Sequence, residues 1–254
     1  MLTKEKELIS VVIPAYNAEK YIEATLRSAL AQTYQNFEII VIDDASKDKT
    51  AEIVRKMAEQ EPRIQLYPNE TNLGVALSRN RGFSLAKGQW VALLDSDDIW
   101  RADKLERQLA LAKESGADII YCSYALVEEK SGERVKDYLL PPETCYEDTL
   151  KVSIITCSTA LISAEIARNY RFTSEFYHED YVFWLELLKK GYRAVGCPEV
   201  LADYTLRADS RSFNKLKSAR ERWVVYRKSQ KMSLFQTIKA FAAYAVYGVR
   251  KYKR

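Results

Sequence analysis

Three carboxylates stand within four positions in Asp95-Ser96-Asp97-Asp98, directly after an apolar run that ends at Leu94. A helix start can use one aspartate to accept a backbone N–H, at about 1 kcal/mol, which explains one of the three. Like charges this close repel one another unless solvent or a cation screens them. Because Mg²⁺ and Mn²⁺ prefer oxygen ligands, the segment predicts a divalent metal site. The alternative is a solvated helix start with surplus acids.

Two further polar clusters also follow apolar runs. Residues 8–13 are mostly β-branched and, except for one serine, apolar, and they are followed by Pro14-Ala15-Tyr16-Asn17. Residues 37–42 have the same character and lead into Asp43-Asp44-Ala45-Ser46. Continuous apolar runs of this length are typical of strands buried on both faces of a parallel sheet. Ligands of open α/β sheets bind beyond the carboxyl ends of such strands, so the three clusters predict one binding crevice.

The elements that position these clusters alternate along the chain. Predicted strands at 8–13, 37–42, 64–67 and 90–94 are separated by predicted helices at 18–32, after Ser46 and at 75–86, with Asn17 and Ser46 as helix caps. Short-looped alternation predicts an α/β fold with a mainly parallel sheet and helices on both faces. A helix to about residue 114 and a strand at 117–127 follow. Further predictions are a loop with some helix at 138–156 over the crevice, a strand at 158–162, a helix from Glu179-Asp180 to Gly191, and one or two short strands at 193–204.

Composition excludes several classes of protein. The net charge of +4 over 254 residues is too small to indicate nucleic-acid binding. The four cysteines lack CxxC spacing and a nearby histidine, so buried thiols in a reducing compartment are expected rather than zinc. No GxGxxG or GxxxxGK[ST] motif follows the first strand, which disfavours nicotinamide and P-loop enzymes. Without a run of eighteen apolar residues, we expect a cytoplasmic protein, or one held on the inner face of the cell membrane without spanning it.

The character of the sequence changes near residue 214. The stretch 214–254 is rich in lysine, arginine and aromatic residues at helical spacing, which predicts a basic amphipathic extension. One interpretation is that it covers an apolar face of the main domain or of a partner in a homodimer. The other is that it lies in a membrane surface, since anionic lipid attracts the basic end Arg250-Lys251-Tyr252-Lys253-Arg254.

Taken in order, the motifs resemble those of the family 2 inverting glycosyltransferases. The matching segments are Ile13-Pro14-Ala15-Tyr16-Asn17, Asp43-Asp44-Ala45-Ser46, Asn72-Leu73-Gly74 with Arg79-Asn80, Leu94-Asp95-Ser96-Asp97-Asp98 and Glu179-Asp180. The region around Trp223 resembles the members that build bacterial cell-surface polysaccharides. The resemblance implies a GT-A domain at 1–213, with a nucleotide half at about 1–100 and an acceptor half at about 101–213. It also implies a nucleotide-diphosphate sugar donor, Mn²⁺ or Mg²⁺, and a single displacement that inverts the anomeric carbon.

The resemblance also implies roles for individual residues. Asp180 is the expected general base, with Glu179 binding the acceptor or exchanging roles with it, and Asp97 and Asp98 are the expected metal ligands. The residues expected at the donor nucleotide are Pro14, Tyr16, Asn17, Asp43, Asp44, Arg79, Asp95, Ser96 and Arg207. Asp43 could instead cap a helix, and Arg79 could form only a surface salt bridge. Acids at the start of a helix also complement its dipole, which is compatible with catalysis.

One position departs from the family pattern. Many relatives carry a histidine where Tyr204-Thr205-Leu206-Arg207-Ala208-Asp209-Ser210 has Arg207. An arginine cannot ligate a cation but can neutralise phosphate oxygens, so weaker metal binding is expected. His178 either contacts the acceptor or is merely exposed. The predicted function is transfer of a sugar from a UDP-sugar to a lipid-linked or growing surface glycan. The alternative is a non-catalytic scaffold of a polysaccharide assembly complex.

Overall fold

The computed structural model describes residues 7–206 and 215–252. The strands are β1 Ile9–Ala15, β2 Phe37–Asp43, β3 Ile64–Pro68, β4 Trp90–Leu93, β5 Ile99–Trp100, β6 Ile119–Glu128, β7 Arg134–Tyr138, β8 Glu143–Thr144, β9 Leu161–Ser163 and β10 Ala194–Leu206. The helices are α1 Ile22–Leu30, α2 Thr50–Gln60, α3 Val75–Leu85, α4 Lys104–Ser115, α5 Tyr146–Lys151, α6 Ala164–Asn169, α7 Glu179–Lys189, α8 Lys215–Val224 and α9 Leu234–Tyr252. Strands and helices alternate up to β4, as the sequence predicts.

The strands of the described ranges form one ten-stranded sheet, in which the order of eight strands is β3-β2-β1-β4-β9-β6-β10-β5, while β7 pairs with β6 and β8 pairs with β10. The strands β3, β2, β1 and β4 pair in parallel. Strand β9 is antiparallel to both β4 and β6, and β10 is parallel to β6, so β10 runs in the same direction as β1. The carboxyl ends of β1, β2, β4 and β10 therefore meet at one edge of the sheet. The chain reverses its progress across the sheet between β1 and β4, which is where open α/β sheets form their ligand crevice.

Close packing on β1 sets the position of α3. Every residue of β1 and β2 is buried, because helices cover both faces of this half of the sheet. A Cβ added at Gly82 of α3 would lie 2.2 Å from Cγ1 of Val12, so only glycine allows the helix to come this near. Arg79 lies three residues before Gly82, almost one helical turn, and is carried to the sheet edge by this contact.

The C-terminal helices pack against the chain's own main domain. Val225 and Tyr226, in a π-helical turn at Val225–Ser229, form an apolar cluster with Tyr181, Val182 and Leu185 of α7. Residues of α9 also pack against this cluster. The inner side of the extension therefore covers an apolar face of the main domain, which was one of the two interpretations of the sequence. No helix in the described part of the chain is long and apolar enough to cross a membrane.

Two predicted helix caps are wrong. Helix α2 begins after Lys49 rather than after Ser46, and α1 begins after Tyr21 rather than after Asn17. Asn17 has a positive φ of 49° and joins two loops, since its Oδ1 accepts from Lys47 N at 2.8 Å while its own N–H donates to Ser46 Oγ at 3.0 Å. Both side chains therefore hold the loops after β1 and β2 together.

Three predicted segments in the second half also differ from the structure. The strand expected at 158–162 is a 3₁₀ turn, Cys157–Thr159, followed by β9. The helix predicted within 138–156 is confirmed as α5, but it packs against α7 and α9 instead of covering the crevice, and the stretch also contains β8. The stretch at 193–204 is one long strand, β10, with irregularities in its register after Cys197 and Val200. Contacts between distant segments decide these differences.

Candidate active site

A cavity of about 360 Å³ opens at the carboxyl edge of the sheet. The ends of β1, β2, β4 and β10, the first residues of α3 and the segment that leads into α7 form its wall. The lining residues are Pro14, Ala15, Tyr16, Asp44, Val75, Ser78, Arg79, Asp95, Ser96, Asp97, Tyr177, His178, Glu179, Asp180, Tyr204 and Thr205. The polar clusters that the sequence predicts to converge therefore do meet, and residues 138–156 contribute nothing to the lining.

Asp44 fixes the loop that leads into α3. Its Oδ1 accepts from Asn69 Nδ2 at 2.7 Å and from the backbone N–H of Leu73 at 2.8 Å, and its Oδ2 accepts from the backbone N–H of Gly74 at 2.8 Å. Gly74 has a φ of 85°, which favours glycine. Asp44 thus shapes the end of the cavity that Pro14 and the exposed ring of Tyr16 also border.

Arg79 is a buried bridge rather than a surface ion pair. The side chain is only 5% exposed; Nη2 donates to Asp95 Oδ1 at 2.6 Å and Nη1 donates to Glu179 Oε1 at 3.1 Å. Burial alone would lower the pKa of Arg79, but Asp95, with Cys157 and Glu179, holds that pKa well above its usual value. Its Nε is buried and has no hydrogen-bond partner among the described residues. Arg79 therefore joins the loop after β4 to the first turn of α7.

The three acids after β4 occupy different environments. Asp95 and Asp97 line the cavity, whereas Asp98 is buried outside its lining. Asp98 Oδ1 accepts from the backbone N–H of Thr205 at 3.1 Å, and Oδ2 accepts from the hydroxyl of Ser158. Burial, with the charges of Asp97 and Asp95 added, raises the pKa of Asp98 well above its ordinary value. Of the two metal ligands expected from the sequence, Asp97 alone faces the cavity.

Ser158 is a site residue that the sequence does not reveal. It is buried in the 3₁₀ turn, where its Oγ accepts from the backbone N–H of Asp95 at 3.0 Å and donates to Asp98. Its carbonyl oxygen accepts from Trp100 Nε1 at 2.8 Å. One side chain thus orients both ends of the acidic loop. Ser158 lies in a segment that sequence periodicity predicts as a strand, so no local pattern indicates this role.

The neighbours Glu179 and Asp180 begin α7 and differ in access. Glu179 is 7% exposed and accepts from Arg79. Asp180 is half-buried, lines the cavity and accepts from the backbone N–H of Tyr181 at 2.7 Å. Nearby, burial and the charges of Asp98, Asp95 and Asp180 raise the pKa of Tyr204 well above its usual value. The hydroxyl of Tyr204 therefore stays protonated beside these acids.

Helix α8 contacts two residues that line the cavity, Tyr177 and His178. His178 Nε2 lies 3.3 Å from the carbonyl oxygen of Ser218, and Lys217 Nζ lies 4.4 Å from the ring centroid of Tyr177. Tyr177 and His178 both line the cavity, and their rings make an edge contact at 5.0 Å. His178 is therefore partly covered by α8 rather than merely exposed, and within the described part of the chain α8 contacts the cavity through these two lining residues.

Some predicted site residues lie away from the cavity. Asn17 is exposed between two loops, as described above. Asp43 is buried, caps no described helix, and its Oδ1 has no hydrogen-bond partner in the ranges that the structure covers, so the capping alternative is wrong. Arg207 lies outside the described residues.

Two carboxylates could face a metal ion in the cavity. Within residues 7–206 and 215–252, no group of three or more His, Cys, Asp or Glu side chains is arranged to hold a metal. The carboxylates of Asp95 and Asp97 nevertheless border the cavity, and carboxylate oxygen is the type of ligand that Mg²⁺ and Mn²⁺ prefer. An ion there would require further ligands from a bound diphosphate or from water, because Asp98 is engaged elsewhere.

Comparison with known proteins agrees with this geometry. The model of the family described as Glycosyl transferase family 2 matches residues 10–171. The putative teichuronic acid biosynthesis glycosyltransferase TuaG of Bacillus subtilis is 37% identical over 250 residues, 98% of this chain and 99% of that protein. The Escherichia coli protein named UDP-Glc:alpha-D-GlcNAc-diphosphoundecaprenol beta-1,3-glucosyltransferase WfgD is 36% identical over 220 residues, 86% of this chain and 85% of that enzyme.

A solved structure shares the fold. The mannosyltransferase PcManGT from Pyrobaculum calidifontis, solved with GDP-Man and Mn²⁺, superposes with a TM-score of 0.73 at 20% identity, covering 95% of this chain and 70% of that one. This similarity shows the GT-A fold that the motifs imply. Together with the family match and the two close relatives, it leads to one conclusion: the chain belongs to glycosyl transferase family 2 and is a glycosyltransferase.

Proposed function

We propose that this glycosyltransferase moves a sugar from a UDP-sugar to a lipid-linked or growing cell-surface glycan, with inversion at the anomeric carbon. The observation that carries the proposal is the placement of Asp97 and Asp180 in the wall of one cavity, with Arg79 between their two elements. A carboxylate pair of this kind suits a reaction in which a leaving diphosphate and an attacking hydroxyl need help on different sides of the sugar. The name of the WfgD relative supports a UDP-sugar and a diphospholipid-linked acceptor.

The donor nucleotide would occupy the end of the cavity formed by the loops after β1 and β2. Pro14 and Tyr16 would border the base and ribose, and the carboxylate of Asp44 would lie at the base edge. Asp95 and Ser96 follow β4 and would contact the ribose or a metal-bound water. Arg79 would act mainly by holding Asp95, since both of its terminal nitrogens already donate to acids. A direct role for Arg207 at the phosphates stays a prediction.

Mn²⁺ or Mg²⁺, when bound, would offset the negative charge that develops on the departing diphosphate. Asp97 would hold the ion, since its carboxylate borders the cavity and Asp98 is buried beneath the loop. Asp98 as a direct ligand stays a prediction that would require a rearrangement of its contacts with Ser158 and Thr205.

Asp180 would serve as the general base. The acceptor hydroxyl oxygen attacks the anomeric carbon, the bond from that carbon to the diphosphate oxygen breaks, and the hydroxyl proton passes to Asp180. Glu179 would hold the first turn of α7 in place through Arg79 rather than take the proton. A single displacement of this kind inverts the anomeric configuration.

Helix α9 would place the protein on a membrane that carries the acceptor. Leu234, Phe235, Ile238 and Val246 are exposed at helical spacing on its outer side, and Phe235 is 78% exposed. Lysines and arginines are frequent along the same extension, which suits an anionic lipid surface. In this proposal residues 1–213 form the catalytic domain, residues 214–254 form the membrane-facing extension, and the protein works on the inner face of the cell membrane.

Donor screening tests the proposal directly. The protein with Mn²⁺ is incubated separately with UDP-glucose, UDP-galactose, their N-acetylamino forms and UDP-glucuronate, and release of UDP is measured with and without a short-chain GlcNAc-diphosphate-lipid acceptor. Turnover of at least one donor is expected, with slow hydrolysis in the absence of acceptor. If no mixture showed either UDP binding or turnover, the scaffold alternative would be favoured.

A further inference from the structure

A buried arginine of α8 lies between two aromatic rings of other helices. Arg222 is 6% exposed, and its Cζ lies 3.9 Å from the ring centroid of Tyr181 on α7 and 4.5 Å from that of Tyr244 on α9. Its Nη1 is buried and has no hydrogen-bond partner among residues 7–206 and 215–252. The ring faces are therefore the main described contacts of this cation.

Such an arrangement is expensive unless the rings compensate. Burying a cation without an anion or a full set of acceptors costs free energy, and the attraction between a guanidinium and ring faces is strongest when water is excluded. A planar guanidinium can stack on two rings at once, which an ammonium cannot do. Arg222 thus joins α7, α8 and α9 by a contact that depends on its shape as well as its charge.

Tyr181 is the direct neighbour of the predicted base, Asp180. Tyr181 follows Asp180 directly, and its backbone N–H donates to Asp180 Oδ1 at 2.7 Å. Its hydroxyl donates to the carbonyl oxygen of Thr149 at 3.0 Å. The ring is buried between Arg222 and these contacts, so a displacement of the ring would also displace the Asp180 carboxylate.

The other ring belongs to the helix that carries the exposed apolar side chains. Tyr244 contacts Phe241 at 5.9 Å, and Phe241 contacts Trp223 of α8 at 5.4 Å. Phe235 and Ile238 are exposed on the same helix α9. The sequence of contacts Tyr244, Arg222 and Tyr181 therefore connects this helix to the first turn of α7.

We propose that Arg222 is a positioning residue for Asp180, which it holds in place through Tyr181 while Tyr244 ties this position to α9. This inference rests on the proposed function for the role of Asp180. It gives the C-terminal helices a part in catalysis in addition to a part in membrane contact. None of the groups involved needs to touch substrate, apart from Asp180 itself.

The test compares Arg222→Gln and Arg222→Lys with Arg220→Gln, a change at an exposed arginine of the same helix. For the UDP-sugar that the wild type turns over, we expect Arg222→Gln to lower kcat at least tenfold while KM for the donor and UDP affinity stay within twofold. Arg222→Lys should fall between, and Arg220→Gln should match the wild type. Wild-type kcat in Arg222→Gln, or equal losses in kcat and UDP affinity, would overturn the proposal.

Hydrogen exchange gives a readout that does not depend on activity. In Arg222→Gln the backbone amides of the first turn of α7 should exchange at least tenfold faster than in the wild type, while those of β1 and β2 stay protected. Unchanged exchange in that turn would overturn the positioning role even in an active enzyme. If exchange in that turn were faster in Arg222→Gln but the wild type turned over no donor, the positioning role would be supported and the proposed function would be contradicted.

Discussion

Arg79 gives the neighbouring acids Glu179 and Asp180 different environments, because it forms an ion pair with Glu179. Glu179 is held in a buried ion pair with this arginine, while Asp180, the next residue, borders the cavity. Removing Glu179 would leave Arg79 with Asp95 as its remaining anion, so the loss should lie below the about 3–5 kcal/mol that is typical when a buried charge is left unpaired. A change at Glu179 should therefore reduce the stability of the protein, whereas a change at Asp180 should act mainly on the reaction.

Removing the hydroxyl of Ser158 should lower both the stability of the protein and its affinity for UDP. Ser158→Ala removes the partner of the Asp95 backbone N–H and of Asp98 Oδ2, while Asp98 Oδ1 keeps the N–H of Thr205, so the free energy of unfolding should fall by about 1–3 kcal/mol. Because the acidic loop loses its support, UDP affinity in the presence of Mn²⁺ should fall about tenfold or more in calorimetric titration. The matched control is Ser163→Ala, whose buried Oγ makes no hydrogen bond within the described chain. Wild-type affinity in Ser158→Ala would show that the loop does not depend on it.

The sequence indicates which residues form much of the site, but not which of them face the cavity and which support the acidic loop from below. Acids after β4 and at the start of α7 are visible as local clusters, and the structure brings Asp95, Asp97 and Asp180 together. The burial of Asp98 and the role of Ser158 are not visible, because they depend on contacts between segments about 60 residues apart. Nucleotide-binding and catalytic roles of the lining residues stay predictions.

At the scale of elements, the carboxyl ends of four parallel strands produce the site. The alternation of strands and helices predicts β1, β2 and β4, and these strands carry Tyr16, Asp44 and Asp95 to one edge. It does not predict that β10 runs in the same direction and brings Tyr204 and Thr205 to that edge, since this depends on how β9 pairs with β4 and β6. Sheet order across long connections is not contained in local periodicity.

The exposed apolar side chains of α9 predict that this helix binds a lipid surface. We expect Phe235→Ser with Ile238→Ser to reduce co-sedimentation with anionic phosphatidylglycerol vesicles about tenfold or more, since fully burying one such side chain is worth about 1.5–3 kcal/mol. The melting temperature should stay unchanged because both side chains are exposed. Deleting α9 is a poorer test, because its inner side packs on the main domain.

The matched control for this prediction is Leu139→Ser, which changes an apolar side chain that is 74% exposed but distant in sequence from α9. It should bind vesicles like the wild type. If the double variant pelleted with the vesicles as fully as the control, the membrane role of this side of α9 would be wrong.

At the scale of the whole molecule, the C-terminal helices share an apolar cluster with α7 of the main domain. The basic, aromatic composition after residue 214 predicts helices, and the sequence leaves open whether they contact the main domain, a partner or lipid. The structure places their inner side on α7 and leaves an apolar outer side exposed. The helices can contact both the main domain and lipid, because a helix has two sides. Composition alone does not indicate which side faces which partner.

A buried lysine connects the stability of the molecule to pH. Lys104 is fully buried, donates to Gln108 Oε1 at 2.6 Å and lies 4.1 Å from the ring centroid of Trp100. Burial lowers the pKa of Lys104 from 10.5 to about 8. Below pH 8 the lysine is charged in both states, so the folded protein carries the cost of burying the charge. Between about pH 8 and 10.5 only the unfolded state keeps the proton, so this cost disappears as the pH rises.

Lys104→Met should therefore stabilise the protein at pH 7, by up to about 3 kcal/mol for a shift of this size, less the lost contacts. The advantage over the wild type should shrink between pH 8 and 10.5. Denaturant unfolding at pH 7 and pH 10 measures it, with Lys56→Met on the exposed side of α2 as the control. A difference between Lys104→Met and wild type that is constant or grows with pH would contradict the buried-charge explanation.

In the proposed reaction, Asp180 takes the proton of the acceptor hydroxyl in a cavity that binds a sugar nucleotide. The measurement that tests it most directly is the rate of sugar transfer by Asp180→Asn, beside UDP affinity measured on the same preparation. Transfer should fall by about 10²–10⁴-fold, the usual contribution of a general base, while UDP affinity stays within about twofold because Asp180 belongs to α7 and not to the loops after β1 and β2 that would hold the nucleotide. Transfer at the wild-type rate by Asp180→Asn would contradict this role of Asp180.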